Sequence, residues 1–96
     1  MKRIVWTRRA VEDALAIKAF IQQDSPSSAA LVIERLLAAI DQLPSFPESG
    51  RMVPEYQDPT VREIIRPPYR IVYRLRQEEI HLITVHHAAR LLRLES

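Results

Sequence analysis

Ninety-six residues suffice for one hydrophobic core and are too few for two, so a single domain over residues 1–96 is expected. Apolar residues make up 47% and charged residues 27%; this ordinary globular usage, with one Gly, excludes a disordered or low-complexity chain, while the lack of Cys excludes disulfides, thiolate metal sites and a cysteine nucleophile. The net charge of +2 is small, yet 12 of the 14 cations are Arg, which holds its charge at any pH and grips phosphate or carboxylate with a planar fork.

Ile4, Val5 and Trp6 form a short β-prone run ahead of Thr7, a residue suited to capping a helix. From residue 8 to 24, Ala10, Ala14, Ile17 and Ile21, with Val11 and Leu15 beside them, recur at three- and four-residue spacing and predict an amphipathic helix. Ser25-Pro26 ends it and starts a second helix, whose stripe is Ala29, Ile33, Leu36, Ile40 and Leu43, flanked by Val32 and Leu37. So short a connection makes the two an antiparallel hairpin.

Residues 44–59 hold four prolines and Gly50, which predicts an irregular surface crossing of the kind that often carries function. Three β-type runs follow, over 61–67, 70–76 and 79–86, with a tight turn near Gln77 and Glu78; 87–94 reads as a short helix. The expected fold is α+β: an antiparallel sheet of about four strands in the order strand, helix, helix, strand, strand, strand, packed on one face by the N-terminal hairpin. Its other face is left for solvent or a partner. No apolar run approaches the roughly 18 residues of a membrane span, and Thr7, Arg8 and Arg9 interrupt any secretory signal, so a cytoplasmic protein without membrane contact is expected.

Strand alternation puts Arg70, Arg74 and Arg76 on one face and pairs Arg62 with Arg66. Five Arg against one acid, Glu63, between residues 61 and 76 predict a concentrated positive field on that surface. Tyr73 shares its face with Ile71 and Leu75 and reads as core. His86 and His87 are neighbours on a strand and point to opposite faces, so no metal-ligand spacing emerges and no cofactor is expected.

The run Arg62-Glu-Ile-Ile-Arg-Pro-Pro-Tyr-Arg-Ile-Val-Tyr-Arg74, followed by Ile83-Thr-Val-His-His-Ala-Ala-Arg90, resembles the RelE/ParE superfamily of bacterial type II toxins. Trp6, the early Ala and Asp of the first helix, and the Phe46-Pro-Glu-Ser-Gly-Arg51 turn fall in the family's order, so the resemblance spans nearly the whole chain. It implies a growth-inhibiting toxin held in check by a cognate antitoxin, with operator DNA reached only through that antitoxin. Two mechanisms come with it: ribosome-dependent mRNA cleavage, as in RelE-like members, and inhibition of DNA gyrase, as in ParE-like members.

Cleavage through a 2′-hydroxyl needs a base, an acid and cations around the phosphate. Arg51, Arg62, Arg70 and Arg74 are the candidate clamp, and Glu55 or His86 the candidate proton carrier. The lysine pair and C-terminal tyrosine of several RelE-like nucleases are absent; Lys2 and Lys18 are the only lysines. This favours the gyrase-directed reading over the nuclease. Arg62, Arg66, Arg70, Arg74, Arg76 and Arg90 are then the candidate surface for an acidic antitoxin or the target. A third reading, from another class, is a degenerate member that only binds its antitoxin; inducing the chain alone would then leave growth untouched.

Overall fold

Thr7 divides the first strand from the first helix. In the computed structural model, which describes residues 1–90 and 92, β1 (Arg3–Trp6) leads into α1 (Arg8–Gln22), and α2 (Pro26–Asp41) follows. The Thr7 hydroxyl accepts from the Ala10 amide at 3.2 Å and donates to the Leu82 carbonyl at 2.7 Å, so one side chain caps the helix and ties it to the sheet. Ser25 caps α2 through the Ser28 amide at 3.2 Å, with Pro26 in the first turn. No described helix is long and apolar enough to cross a membrane.

The remaining strands are β2 (Arg51–Met52), β3 (Val61–Arg66), β4 (Tyr69–Leu75) and β5 (Glu79–His87), and the sheet order is β1-β5-β4-β3-β2. The fold is therefore α+β as expected, with two refinements. The sheet has five strands, because Arg51 and Met52 pair with Glu63 and Arg62 inside the supposedly irregular crossing. It is also mixed, because β1 runs parallel to β5. The expected C-terminal helix is not found over the described part: His87 ends β5, Ala88 and Ala89 form a turn tied to Pro68 by the Ala88 amide, and residues 91, 93 and 94 lie outside the described residues.

β1 pairs with β5 only as far as Leu82, which leaves the rest of that edge without a strand partner. There Ile83 is the extra residue of a β-bulge, since Tyr73 faces Leu82 and Val72 faces Thr84. Asp13 of α1 covers this edge, accepting from the Thr84 hydroxyl and from the Val85 amide at 3.1 Å. An unpaired edge amide is thus satisfied by a side chain rather than a strand.

Alternation along β4 separates two cores. Ile71 and Tyr73 face the helices with Ala10, Leu36, Ile40, Leu43, Ile80, Leu82 and Val85. Val72 faces the other way, against Val53, Val61, Leu92 and the half-buried Tyr56. The face expected to be open is therefore partly covered, because the crossing folds back over it and brings Val53 with it. Val11, Leu15 and Leu37, expected beside the buried stripes, stay exposed.

Tyr73 links the helix-facing core to the crossing: its hydroxyl donates to the Pro47 carbonyl at 2.8 Å and accepts from the Gly50 amide at 2.9 Å. Burial pushes its pKa up, which keeps the proton needed for both roles. A Cβ on Gly50 would lie 2.6 Å from that hydroxyl oxygen and 2.7 Å from the Glu63 carbonyl oxygen. Gly50→Ala should accordingly lower stability by about 1–3 kcal/mol through overpacking. Urea denaturation checks this; an unchanged midpoint would mean that the turn is not held against Tyr73.

Candidate functional site

Glu63 stands between Val61 and Ile65 on β3 and is 1% exposed. A carboxylate so placed must be paired. Its Oε1 accepts from Arg70 Nε at 2.6 Å and lies 2.5 Å from Arg70 Nη2, while its Oε2 accepts from Arg51 Nε at 2.6 Å. Arg70 is 6% exposed, and the rest of its fork points at Glu55, with Nη1 and Nη2 each 2.9 Å from a carboxylate oxygen. Glu55 Oε2 also accepts from the Leu92 amide at 3.3 Å. Two guanidinium groups and two carboxylates form one connected network beside a cleft of about 450 Å³, which Pro54, Ile65 and Ala88 also line.

This network sets the protonation states. Hydrogen bonds from Arg70 bring the Glu55 pKa from 4.5 down to about 2, against the opposing effect of burial. The same pairing with Glu55, and then Glu63, raises the Arg70 pKa further. Glu55 is thereby a very weak base at neutral pH, and Arg70 has spent its fork on protein carboxylates.

His86 faces Arg70 across the β4–β5 pair. Burial, then the nearby charges of Arg70 and Arg9, lower its pKa below the usual 6.5, with Asp13 and Glu55 acting in the opposite sense. The ring is neutral at pH 7, and its Nε2 is buried without a hydrogen-bond partner among the described residues. Arg74 Nε shares that condition.

The other arginines do not form one surface. Arg62 and Arg66 pair with Tyr73 and Tyr69 and so lie on the helix side of the sheet, opposite Arg70 and Arg74. Arg62 is a strut, donating to the carbonyls of Pro59 at 3.1 Å and Gly50 at 3.0 Å. Arg66 and Arg90 are exposed, as is Arg76 beyond the end of β4. Of the expected catalytic group, Glu55 and Arg70 are joined directly, Arg51 reaches Arg70 only through Glu63, and His86 lies opposite Arg70; Arg74 is four residues further along β4. The expected concentrated positive face is corrected on two counts: its members divide between both faces of the sheet, and Arg70 is neutralised.

The chain matches the family described as the ParE toxin of type II toxin-antitoxin systems, parDE, over residues 4–92. It belongs to the ParE toxin family. It is a toxin of a type II toxin-antitoxin system. The toxin is 40% identical over 92 residues to Toxin RelE2 of Caulobacter vibrioides, covering 95% of this chain and all of that protein. It is 38% identical over 89 residues to the putative toxin Y4kP of Sinorhizobium fredii, covering 91% and 88% of the two chains. The fold is shared with the chromosomal ParDE system of P. aeruginosa, at a TM-score of 0.73 and 23% identity over 91% of this chain and 96% of that one. It is also shared with the RelBE2 complex of Mycobacterium tuberculosis, at a TM-score of 0.55 and 18% identity over 90% and 96%.

Sequence reading placed Glu63 in the toxin only as a lone acid among arginines and missed it as the hub. The signal was its alternation with Val61 and Ile65, which puts a carboxylate on an apolar strand face. Glu63→Gln should cost about 3 kcal/mol by leaving buried Arg70 without one of its counter-charges, readable as a lower urea midpoint. Glu55 has a depressed folded pKa, so the stability it contributes is complete above its unfolded value of 4.5 and is lost as pH falls toward 2. Acid unfolding of Glu55→Gln should be shallower than that of the wild type in this window; superimposable curves would contradict the pairing.

Proposed function

We propose that this toxin arrests growth by binding a protein target, DNA gyrase, and that a cognate antitoxin neutralises it by covering its surface. The observation that carries this reading is the closed Arg51–Glu63–Arg70–Glu55 network. A ribonuclease of this fold would need cations free to meet a pentavalent phosphate and a base able to accept a proton. Here the most buried cation is saturated by two carboxylates, and one candidate base is held at a pKa of about 2. A rigid, internally neutralised site suits the support of a binding surface better than it suits phosphoryl chemistry. The match to ParE toxins agrees with this preference.

His86 supports a second reading. A neutral imidazole with a free buried nitrogen opposite an arginine has the attributes of a general base, which would make the toxin a ribosome-dependent mRNA endonuclease. The RelE2 name of one relative fits that alternative.

The two are separated by paired assays on antitoxin-free toxin, one of supercoiling by purified gyrase and one of mRNA integrity on programmed ribosomes. Supercoiling should be blocked and the message left whole. His86→Ala should keep its growth-arresting activity in cells. Cleaved message with normal supercoiling, abolished by His86→Ala in a folded protein, would overturn the proposal.

A further inference from the structure

Val11, Leu15 and Leu37 are 41%, 61% and 43% exposed, although the helices that carry them bury their opposite sides. They belong to one outer surface of the helical hairpin. Along α1, Val11, Leu15, Lys18 and Gln22 follow one another at helical spacing and form a stripe turned away from Ala10 and Ile17, which pack on the core. Along α2, Ala30, Glu34, Leu37 and Asp41 repeat that spacing, turned away from Leu36 and Leu43. Between the stripes runs a groove of about 340 Å³ lined by Lys18, Ala30, Ile33, Glu34 and Leu37, so Lys18 stands beside Glu34. The helices are antiparallel, and equal steps from that level place Leu15 beside Leu37, Val11 beside Asp41 and Gln22 beside Ala30.

The charges select what can cover this surface. Lys18 and Glu34 are exposed, and neither has an ion-pair partner among the described residues. A partner of one sign, acidic or basic, would satisfy one of them and repel the other. The groove calls for one cation and one anion at the same level, next to apolar ground, and the hairpin itself carries that pattern. A two-fold axis parallel to the helices lays α1 of one copy on α2 of the other, giving a four-helix bundle with antiparallel neighbours. Lys18 then meets the partner's Glu34 on both sides of the axis, and Leu15 meets the partner's Leu37. An axis perpendicular to the helices would lay α1 on α1 and could not pair Lys18 with Glu34. We infer that the outer face of the hairpin is a homodimer interface of this toxin, closed by two Lys18–Glu34 pairs around a row of Leu15 and Leu37. The face measures roughly 22 by 20 Å, so two copies bury about 1,000 Å² in total, the lower bound of a specific interface. The dimer is therefore weak, with a dissociation constant on the order of 10 μM. It is independent of which target the toxin attacks.

Sedimentation of the intact, antitoxin-free toxin over about a hundredfold range of concentration tests this, with a reversible monomer–dimer equilibrium expected. Lys18, Glu34 and Leu15 are exposed, so substitutions there spare the core, and thermal midpoints of the monomers should not move. Lys18→Glu and Glu34→Lys should each weaken dimerisation by about 30-fold when alone, because like charges then face each other twice. Mixed in equal amounts, these two variants should form a heterodimer of wild-type affinity, since both ion pairs return. Leu15→Glu should be monomeric throughout, and Arg35→Glu, on the other flank of α2, should dimerise as the wild type does. A wild type that stays monomeric at every concentration would overturn the inference. So would a dimer that survives Leu15→Glu, or two charge variants that fail to associate when mixed.

Discussion

A carboxylate shut away from water must find positive charge within the protein, and Glu63 finds two guanidinium groups, Arg51 and Arg70. That pairing constrains much of the surrounding structure. Arg70 can be buried in the middle of a sheet because Glu63 holds one side of its fork and Glu55 the other. Arg51 is drawn to the β3 edge, where its backbone makes a short strand out of a proline-rich crossing. Glu55, fixed on Arg70, accepts the amide of Leu92, whose side chain closes the smaller core with Val53, Val61 and Val72.

The fold was legible where local chemistry dictates it. Thr7 and Ser25 are capping residues, Pro26 belongs in a first helical turn, and the three- and four-residue apolar spacing leaves little choice of face. The last three strands were equally plain, because each is a β-prone run bounded by turn residues, although the bulge at Ile83 that breaks the alternation of β5 was not. The parallel pairing of β1 with β5 was not legible, since it depends on where the helical hairpin delivers the chain after more than seventy residues. Nor was β2: two residues carry no periodicity, and their pairing comes from Arg51 meeting Glu63.

The candidate site was half legible for a related reason. Alternation along β4 placed Arg70 and Arg74 on the side away from the helices, and that holds. Exposure does not follow from face, however, and the crossing that returns with Val53 and Glu55 turns a presumed open surface into a small second core. Arg62 shows the same limit, because its carbonyl partners at Gly50 and Pro59 come from a loop whose path the sequence does not state. The one available clue was Glu63, an acid on an apolar strand face, which predicts a buried guanidinium partner before any loop is placed.

Functionally, the network around Arg70 is an internally neutralised support, with its charges spent on Glu63 and Glu55. That role requires Glu55 to stay locked on Arg70 in solution. Carboxyl-detected NMR titration of the intact toxin measures this directly, through the midpoint of the Glu55 side chain. A midpoint near 2 is the predicted result. A midpoint at the ordinary 4.5 would mean that the fork of Arg70 is free for a phosphate, and the case against the nuclease would fall.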